Sequence, residues 1–299
     1  MINQVDKGAL KSHVAHEQHM KNIISEIDER FFTLRNKDCV EYALNIRTLE
    51  ILKPLLKKRN TWLTIGDYYA FEAQYFKEHN QDVVASDLSD VFLKEAKAEG
   101  IIDEYRKENV EFINLEEDSF DYVSCREAFH HFPRAYLGIY EMIRVAKKGA
   151  ILIEPIDILS KMPLVLWIKN ICDIFNPLLI NKLWKHRFSW ETVGNYVFKI
   201  SERDVEKIAM GIGLPCIAFK GVNILLSYKD DIREVPTNKR VLNKINRKLS
   251  FMNLLCKLRI IPYTSLCSII FKEMPDEETI ADLKKLGYSV IKLPANPYL

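Results

Sequence analysis

The side chains that can do chemistry gather just behind short apolar runs. Asp87 follows Val83-Val84-Ala85, Arg126 and Glu127 follow Phe120 to Cys125, and Glu154 ends Ala150-Ile-Leu-Ile. His130 and His131 close the loop that Arg126 opens. An acid after the second strand of an α/β unit suits a pair of ribose hydroxyls. Imidazole titrates near neutrality, so His130 or His131 can take a proton from a hydroxyl that accepts a transferred group, or one ring can simply cap the loop. Glu127 and Glu154 stand where an acceptor would sit, and Glu154, close to Asp157, can orient hydroxyls or serve as a base. The alternative for Glu154 is a helix cap or an ion pair. Metal chemistry is not expected: no cluster of His, Cys, Asp and Glu has ligand spacing. His13, His16 and His19 precess around a helix, the outer two about 240° apart in projection. No GxSxG or Walker-type loop is present.

These residues need strand ends to hold them. Thr61 to Asp87 reads as strand, turn, helix, strand, acid: Trp62 to Ile65, then Gly66, then a helix carrying Phe71, Tyr75 and Phe76, closed by Asn80. The N-terminus of that helix is expected to offer free N–H groups to a nucleotide-like ligand. Further elements follow: a helix over about 90–99 stopped by Gly100, a third strand at Val110 to Ile113, a fourth at Phe120 to Cys125, a helix over Tyr136 to Val145 and a fifth strand at Ala150 to Glu154. Alternating strands and helices predict a parallel sheet wound on both faces, with ligands beyond the strands' carboxyl ends. Residues 5–58 read as a helical cap. Beyond Asp157 come a helical, aromatic lid candidate from Pro163 to about Trp184, interrupted by Pro177, a helix capped by Ser201, a strand over 214–228, a basic helix over 238–259, a strand over 265–271, a polar helix over 276–286 and a short extended tail.

Bulk composition excludes some partners. Net charge is +2 over 299 residues, so no general nucleic-acid binding is expected. The six cysteines form no CxxC pair and read as reduced thiols, and the N-terminal MINQVDKGALK has no apolar core for a signal peptide, which together predict a cytoplasmic protein. The most apolar run, Pro163 to Phe175, is broken by Lys169, Asn170 and Asp173 and is too short to span a bilayer. The basic helix suits a pyrophosphate on a nucleotide- or lipid-linked substrate, or peripheral contact with an anionic membrane, or a solvated face over a stripe of Leu242, Ile245, Leu249 and Met252.

Taken in order, Ile65-Gly66, Asp87, Glu108-Asn-Val-Glu111, Ser119-Phe-Asp-Tyr-Val123, His130-His131-Phe132 and Tyr140-Glu-Met-Ile-Arg-Val-Ala-Lys-Lys-Gly149 resemble a class I S-adenosylmethionine-dependent methyltransferase of the methyltransferase domain 11 kind. The resemblance covers roughly Trp62 to Asp157. It implies a Rossmann-like, doubly wound, mostly parallel α/β fold, with an N-terminal helical cap (1–60), a cofactor-binding core (61–160), and lid helices, a basic helical insertion and closing strands of the same sheet (161–299). It also implies S-adenosyl-L-methionine as cofactor. Asp87 would hold the ribose, Leu88 would line the adenine, and Asn109 and Val110 would meet its edge. Gly66 and Asp67 would lie near the methionine amine, and Arg126 would hold the methionine carboxylate or pair with Glu127. The family's first strand usually ends in an acid, where this chain has Thr64. The later glycines of its turn are Tyr68 and Ala70 here, so Tyr68 either swings away or narrows the methionine pocket.

RFSWETVGNYVF running into ISERDVEK is similar to methyltransferases of bacterial surface-polysaccharide synthesis, which implies O-methylation of a sugar or glycan precursor. Catalysis would then fall to His130, His131 or Glu154. The reading from another class is a methyltransferase-fold scaffold without turnover, peripheral to a membrane through its basic helix.

Overall fold

The computed structural model describes residues 39–157, 162–175, 196–224 and 239–298, together with Lys11, residues 13–15, Leu34, Arg35, Lys37 and Trp190. Ile23 to Phe32, His16, His19, Pro177 and most of the RFSWETVGNYVF segment lie outside these residues.

The elements run α1 (Val40–Leu49), a 3₁₀ turn (Glu50–Leu55), β1 (Thr61–Ile65), α2 (Phe71–Glu78), β2 (Asp82–Asp87), α3 (Val91–Ala98), β3 (Glu104–Lys107), β4 (Phe120–Arg126), α4 (Ala135–Val145), β5 (Ala146–Pro155), α5 (Pro163–Phe175), α6 (Glu202–Gly211), β6 (Cys216–Val222), α7 (Lys239–Lys257), β7 (Ser265–Phe271), α8 (Glu277–Lys285) and β8 (Ser289–Lys292). The strands form one sheet in the order β3-β2-β1-β4-β5-β7-β6-β8. The first five strands are parallel, β7 runs antiparallel between β5 and β6, and β8 adds antiparallel to β6. Strand order reverses between β1 and β4, and a crevice opens there at the carboxyl ends.

Both faces are covered. Leu49, Phe76, Phe92 and Leu283 bring α1, α2, α3 and α8 into one apolar layer, where the buried Trp62 ring packs at a tilt against Phe76, centroids 4.3 Å apart, and donates from Nε1 to Gln81. Ile139, Met142, Val205 and Ile208 bring α4 and α6 onto the other face. Helix ends follow local chemistry. Asn80 and Gly100, with φ of 58° and 68°, close α2 and α3, and Ser201 with Asp204 forms a reciprocal capping box on α6.

One strand differs from expectation. Val110 to Ile113 is a tight turn, closed by the Phe112 N–H on the Asn109 carbonyl, and the third strand is Glu104–Lys107. The segment is apolar because Val110 and Ile113 enter the core, while Glu111 is buried against Arg134. The charged Glu104-Tyr-Arg-Lys segment suits its place at the sheet's edge, where charge discourages pairing with another chain. The tail, expected to be extended, contributes β8.

Gly66 sets the turn after β1. Its φ is +69°, and a Cβ there would lie 2.3 Å from the Ala128 Cβ. Gly66→Ala is therefore expected to cost about 2–4 kcal/mol by urea unfolding, from left-handed strain plus overpacking. Adding Ala128→Gly should recover the packing part only. A variant as stable as the parent would mean this turn does not hold β1 against the β4 exit loop.

Candidate active site

Three strand ends meet at the switch point. From β2 comes Asp87, buried, with Oδ1 accepting from the Ser89 N–H at 2.8 Å. Asp87 does not cap the following helix, since α3 starts at Val91 with Asp90 at its N-cap. Burial pushes the Asp87 carboxyl up to about 7, against the pull of the Ser89 backbone.

Asp67 has a different fate. Its carboxylate turns into the start of α2, accepting from the N–H groups of Glu72 (3.2 Å) and Ala73 (2.8 Å) and from the Thr64 hydroxyl (3.1 Å). The expectation of free N–H groups at this helix is thus corrected: two of them are taken by the chain's own carboxylate. Ala70 at the N-cap has φ of 54°, the left-handed conformation that a glycine would adopt without strain. Thr64 is fully buried and lines neither of the cavities described below.

From β4 come Arg126 and Glu127. Arg126 donates to Asn45 Oδ1 at 2.8 Å and lies 3.9 Å from the Glu72 carboxylate, so its ionic partner is Glu72 rather than Glu127. Burial and the neighbouring Asp67 push Glu72 up to about 7. Glu127 takes a left-handed φ of 54°, and its Oε1 is buried with no hydrogen-bond partner. Burial, and then the charge of Glu154, raise it to about 7.

Glu154, from β5, is fully buried and faces neither cavity. Its Oε1 accepts from the backbone N–H groups of Ala128 (2.8 Å) and Phe129 (2.9 Å), and its Oε2 meets His130 Nδ1 at 2.8 Å. The expectation that Glu154 acts directly as a base is corrected accordingly: it clamps the β4 exit loop and fixes the His130 ring. The ring of His131 packs at a tilt of 41° against that of His130, centroids 4.0 Å apart.

Two cavities share one wall. The first, of about 190 Å³, is lined by Asp87, Leu88, Asn109 and Val110 among others. The second, of about 400 Å³, is lined by Asn45, Arg126, His130, Tyr69 and Phe71 among others. Gly66, Tyr68, Glu127 and His131 line both. The Tyr68 ring packs edge-on against Phe92 at 5.0 Å and against Tyr69 at 4.9 Å, so it forms part of the wall. Its hydroxyl is buried without a hydrogen-bond partner.

Sequence reasoning set His13 aside as a metal ligand and gave Asn45 no role. His13 lines the first cavity, 3.7 Å from the Glu111 carboxylate, and Asn45 lines the second from α1. Neither carries a motif. Glu108 and Glu111 do belong to a recognisable stretch, and both also line the first cavity.

Residues 63–153 match the family model of a methyltransferase domain. No curated protein matches the chain in sequence. Among solved structures, the methyltransferase-fold subunit bound to the Trm112 activator in Haloferax volcanii is 11% identical, covering 83% of this chain and 96% of its own, with a TM-score of 0.50. An S-adenosylmethionine-dependent methyltransferase from Thermotoga maritima is 14% identical over 85% of this chain and 98% of its own, TM-score 0.48. A methyltransferase-fold protein from Bacillus halodurans is 23% identical over 75% of this chain and 99% of its own, TM-score 0.44. The chain carries a class I methyltransferase domain on a Rossmann-like mixed sheet. That domain, over residues 63–153, implies S-adenosylmethionine-dependent methyl transfer with S-adenosyl-L-methionine as cofactor.

The pocket fits that cofactor on its own terms. A carboxylate lies at the end of β2, an apolar slot at Leu88 and Val110 adjoins it, and two buried polar atoms without partners, Tyr68 Oη and Glu127 Oε1, belong to residues shared with the second cavity. Among the described residues no group of His, Cys, Asp and Glu gathers as metal ligands, and no helix is long and apolar enough to cross a membrane.

Asp87 has a stability signature. Its native carboxyl sits at about 7, against 3.8 for the free group, so the native state keeps a proton that the unfolded chain releases. Stability is present below the unfolded value and is lost as pH rises through about 7. Asp87→Asn should match the parent near pH 4 and exceed it near pH 8 by an amount on the order of 3 kcal/mol in urea unfolding. An equal difference at both pH values would contradict the burial of this charge.

Proposed function

We propose that the chain transfers a methyl group to a hydroxyl of a sugar or glycan precursor, bound in the second cavity. The observation carrying this reading is His130, on the wall of a cavity that adjoins the cofactor crevice and held from behind by the buried Glu154. A carboxylate at Nδ1 leaves Nε2 as the basic nitrogen, able to take the acceptor's proton. His131, packed against His130 and lining both cavities, is the other candidate base. Asn45, Arg126 and Glu127 offer donors and acceptors to a polyhydroxylated molecule, and Tyr69 and Phe71 offer aromatic faces for a sugar ring. The acceptor is free or carried on a nucleotide or a lipid.

When bound, S-adenosyl-L-methionine supplies the methyl electrophile. The protein's share is alignment, exclusion of water and removal of one proton. In this reading Asp87 accepts hydrogen bonds from the ribose hydroxyls, Leu88 and Val110 flank the adenine, and Asn109 and the backbone beside it meet its polar edge. Thr64 and Asp67 hold the turn from behind, and Gly66 lets the backbone approach the amino-acid end. Glu127 receives the methionine ammonium: its unpartnered Oε1 and its place between the cavities favour that role, which Asp67 cannot fill while it caps α2.

Calorimetry tests this assignment. S-adenosylhomocysteine should bind with micromolar affinity, about −8 kcal/mol, and Asp87→Ala should weaken it about 100-fold. Glu127→Gln should weaken S-adenosylhomocysteine about tenfold and leave 5′-methylthioadenosine, which lacks the amino-acid end, unchanged. Equal losses for both ligands would remove the ammonium role from Glu127. No binding by the parent chain would remove the enzymatic reading.

A further inference from the structure

Helix α7 joins two opposite surfaces. At 100° per residue its inner face carries Leu249, Asn253 and Cys256, and its outer face carries Arg240, Lys244, Arg247, Phe251 and Leu254, continued by Leu258 just past its end. The inner face is docked: Leu249 and Cys256 are buried, Asn223 bonds Asn253 at 2.8 Å, and Arg47 of α1 bonds Asn246 at 2.9 Å. The outer face divides along its length. Its first half presents cations, and no acid occurs in the sequence between Glu234 and Glu273. Its second half presents Phe251, Leu254 and Leu258 at 61%, 53% and 60% exposure, followed by exposed Ile260.

An ordinary solvated helix face carries mixed charge and few large apolar groups. Cations beside exposed Phe and Leu, on one helix face without acids, match the headgroup and acyl zones of an anionic lipid surface. The position of α7 agrees. It connects β6 to β7, whose Val222 and Ser265 pair at the sheet end where β5 finishes at Pro155. Ile224 lines both the second cavity and the groove between α1 and α7. Helix α5 leaves from the end of β5 with none of its residues buried, and Leu164, Trp167 and Phe175 are exposed.

We propose that the outer face of α7 docks the protein on an anionic membrane, with the second cavity opening beside the contact, so that the acceptor is presented on a lipid. The docking stands on the surface alone; the lipid-borne acceptor rests on the methyl-transfer reading above.

The test is sedimentation of the full chain with vesicles of phosphatidylglycerol and phosphatidylcholine in equal parts, or of phosphatidylcholine alone, alongside calorimetry with S-adenosylhomocysteine. The parent should sediment with the anionic vesicles only. Phe251→Ser with Leu254→Ser, and separately Lys244→Glu with Arg247→Glu, should each reduce the bound fraction about tenfold. All these positions are exposed, so ligand affinity should not change in either variant. No sedimentation, equal binding to both vesicle types, or binding untouched by the substitutions would overturn the proposal. So would binding to single-stranded RNA in place of vesicles, lost with the cations and kept with the two serines, which would assign the face to nucleic acid. Failure of S-adenosylhomocysteine to bind the parent, with vesicle binding intact, would strike the enzymatic reading and leave the docking standing.

Discussion

Carboxylates buried at the carboxyl ends of the parallel strands must find hydrogen bonds, and that requirement shapes the whole site. Burying such a charge without partners is costly, so each carboxylate either recruits backbone N–H groups or awaits a ligand. Glu154 and Asp67 recruit. Glu154 draws the N–H groups of Ala128 and Phe129 inward and fixes His130, which sets the path of the β4 exit loop. Asp67 gathers two N–H groups and the Thr64 hydroxyl, which sets the β1–α2 turn. Glu127 keeps one oxygen without a partner and Asp87 has only the neighbouring Leu88 and Ser89 backbone, and of these four strand-end carboxylates they are the two that line the first cavity. The division between scaffold and ligand groups follows from how completely each carboxylate is satisfied.

This accounts for a turn poor in glycine. With Tyr68 and Ala70 in place of glycines, the backbone takes the left-handed conformation at Ala70, at some steric cost. The Asp67 cap helps to hold it there. Tyr68 leaves the crevice open because its ring has a home against Phe92 and Tyr69. The same cap occupies the N–H groups of Glu72 and Ala73 at the start of α2.

Much of the fold was legible because periodicity and breakers agreed. Asn80, Gly100 and Ser201 end or begin helices as their side-chain chemistry dictates. The third strand lies earlier than the apolar Val110 and Ile113 suggest, because these two enter the core from a tight turn in which Glu111 is an ion-pair partner of Arg134. Strand β8 hid in a tail without strong patterning. In the site, Asp87 was legible from its place after a strand. The inward turn of Glu154 and Asp67 was not, since a sequence does not say which backbone amides a carboxylate will meet. His13 and Asn45 reach the cavities through tertiary packing that no local spacing encodes.

The central claim is that a ligand's ribose closes the unfinished hydrogen bonding of Asp87, while Asp67 stays on α2. A crystal structure with S-adenosylhomocysteine bound tests it most directly. The account predicts both ribose hydroxyls within hydrogen-bond distance of the Asp87 carboxylate, with the Tyr68 ring still against Phe92. A ribose held elsewhere, or a Tyr68 ring turned into the crevice in its place, would contradict it.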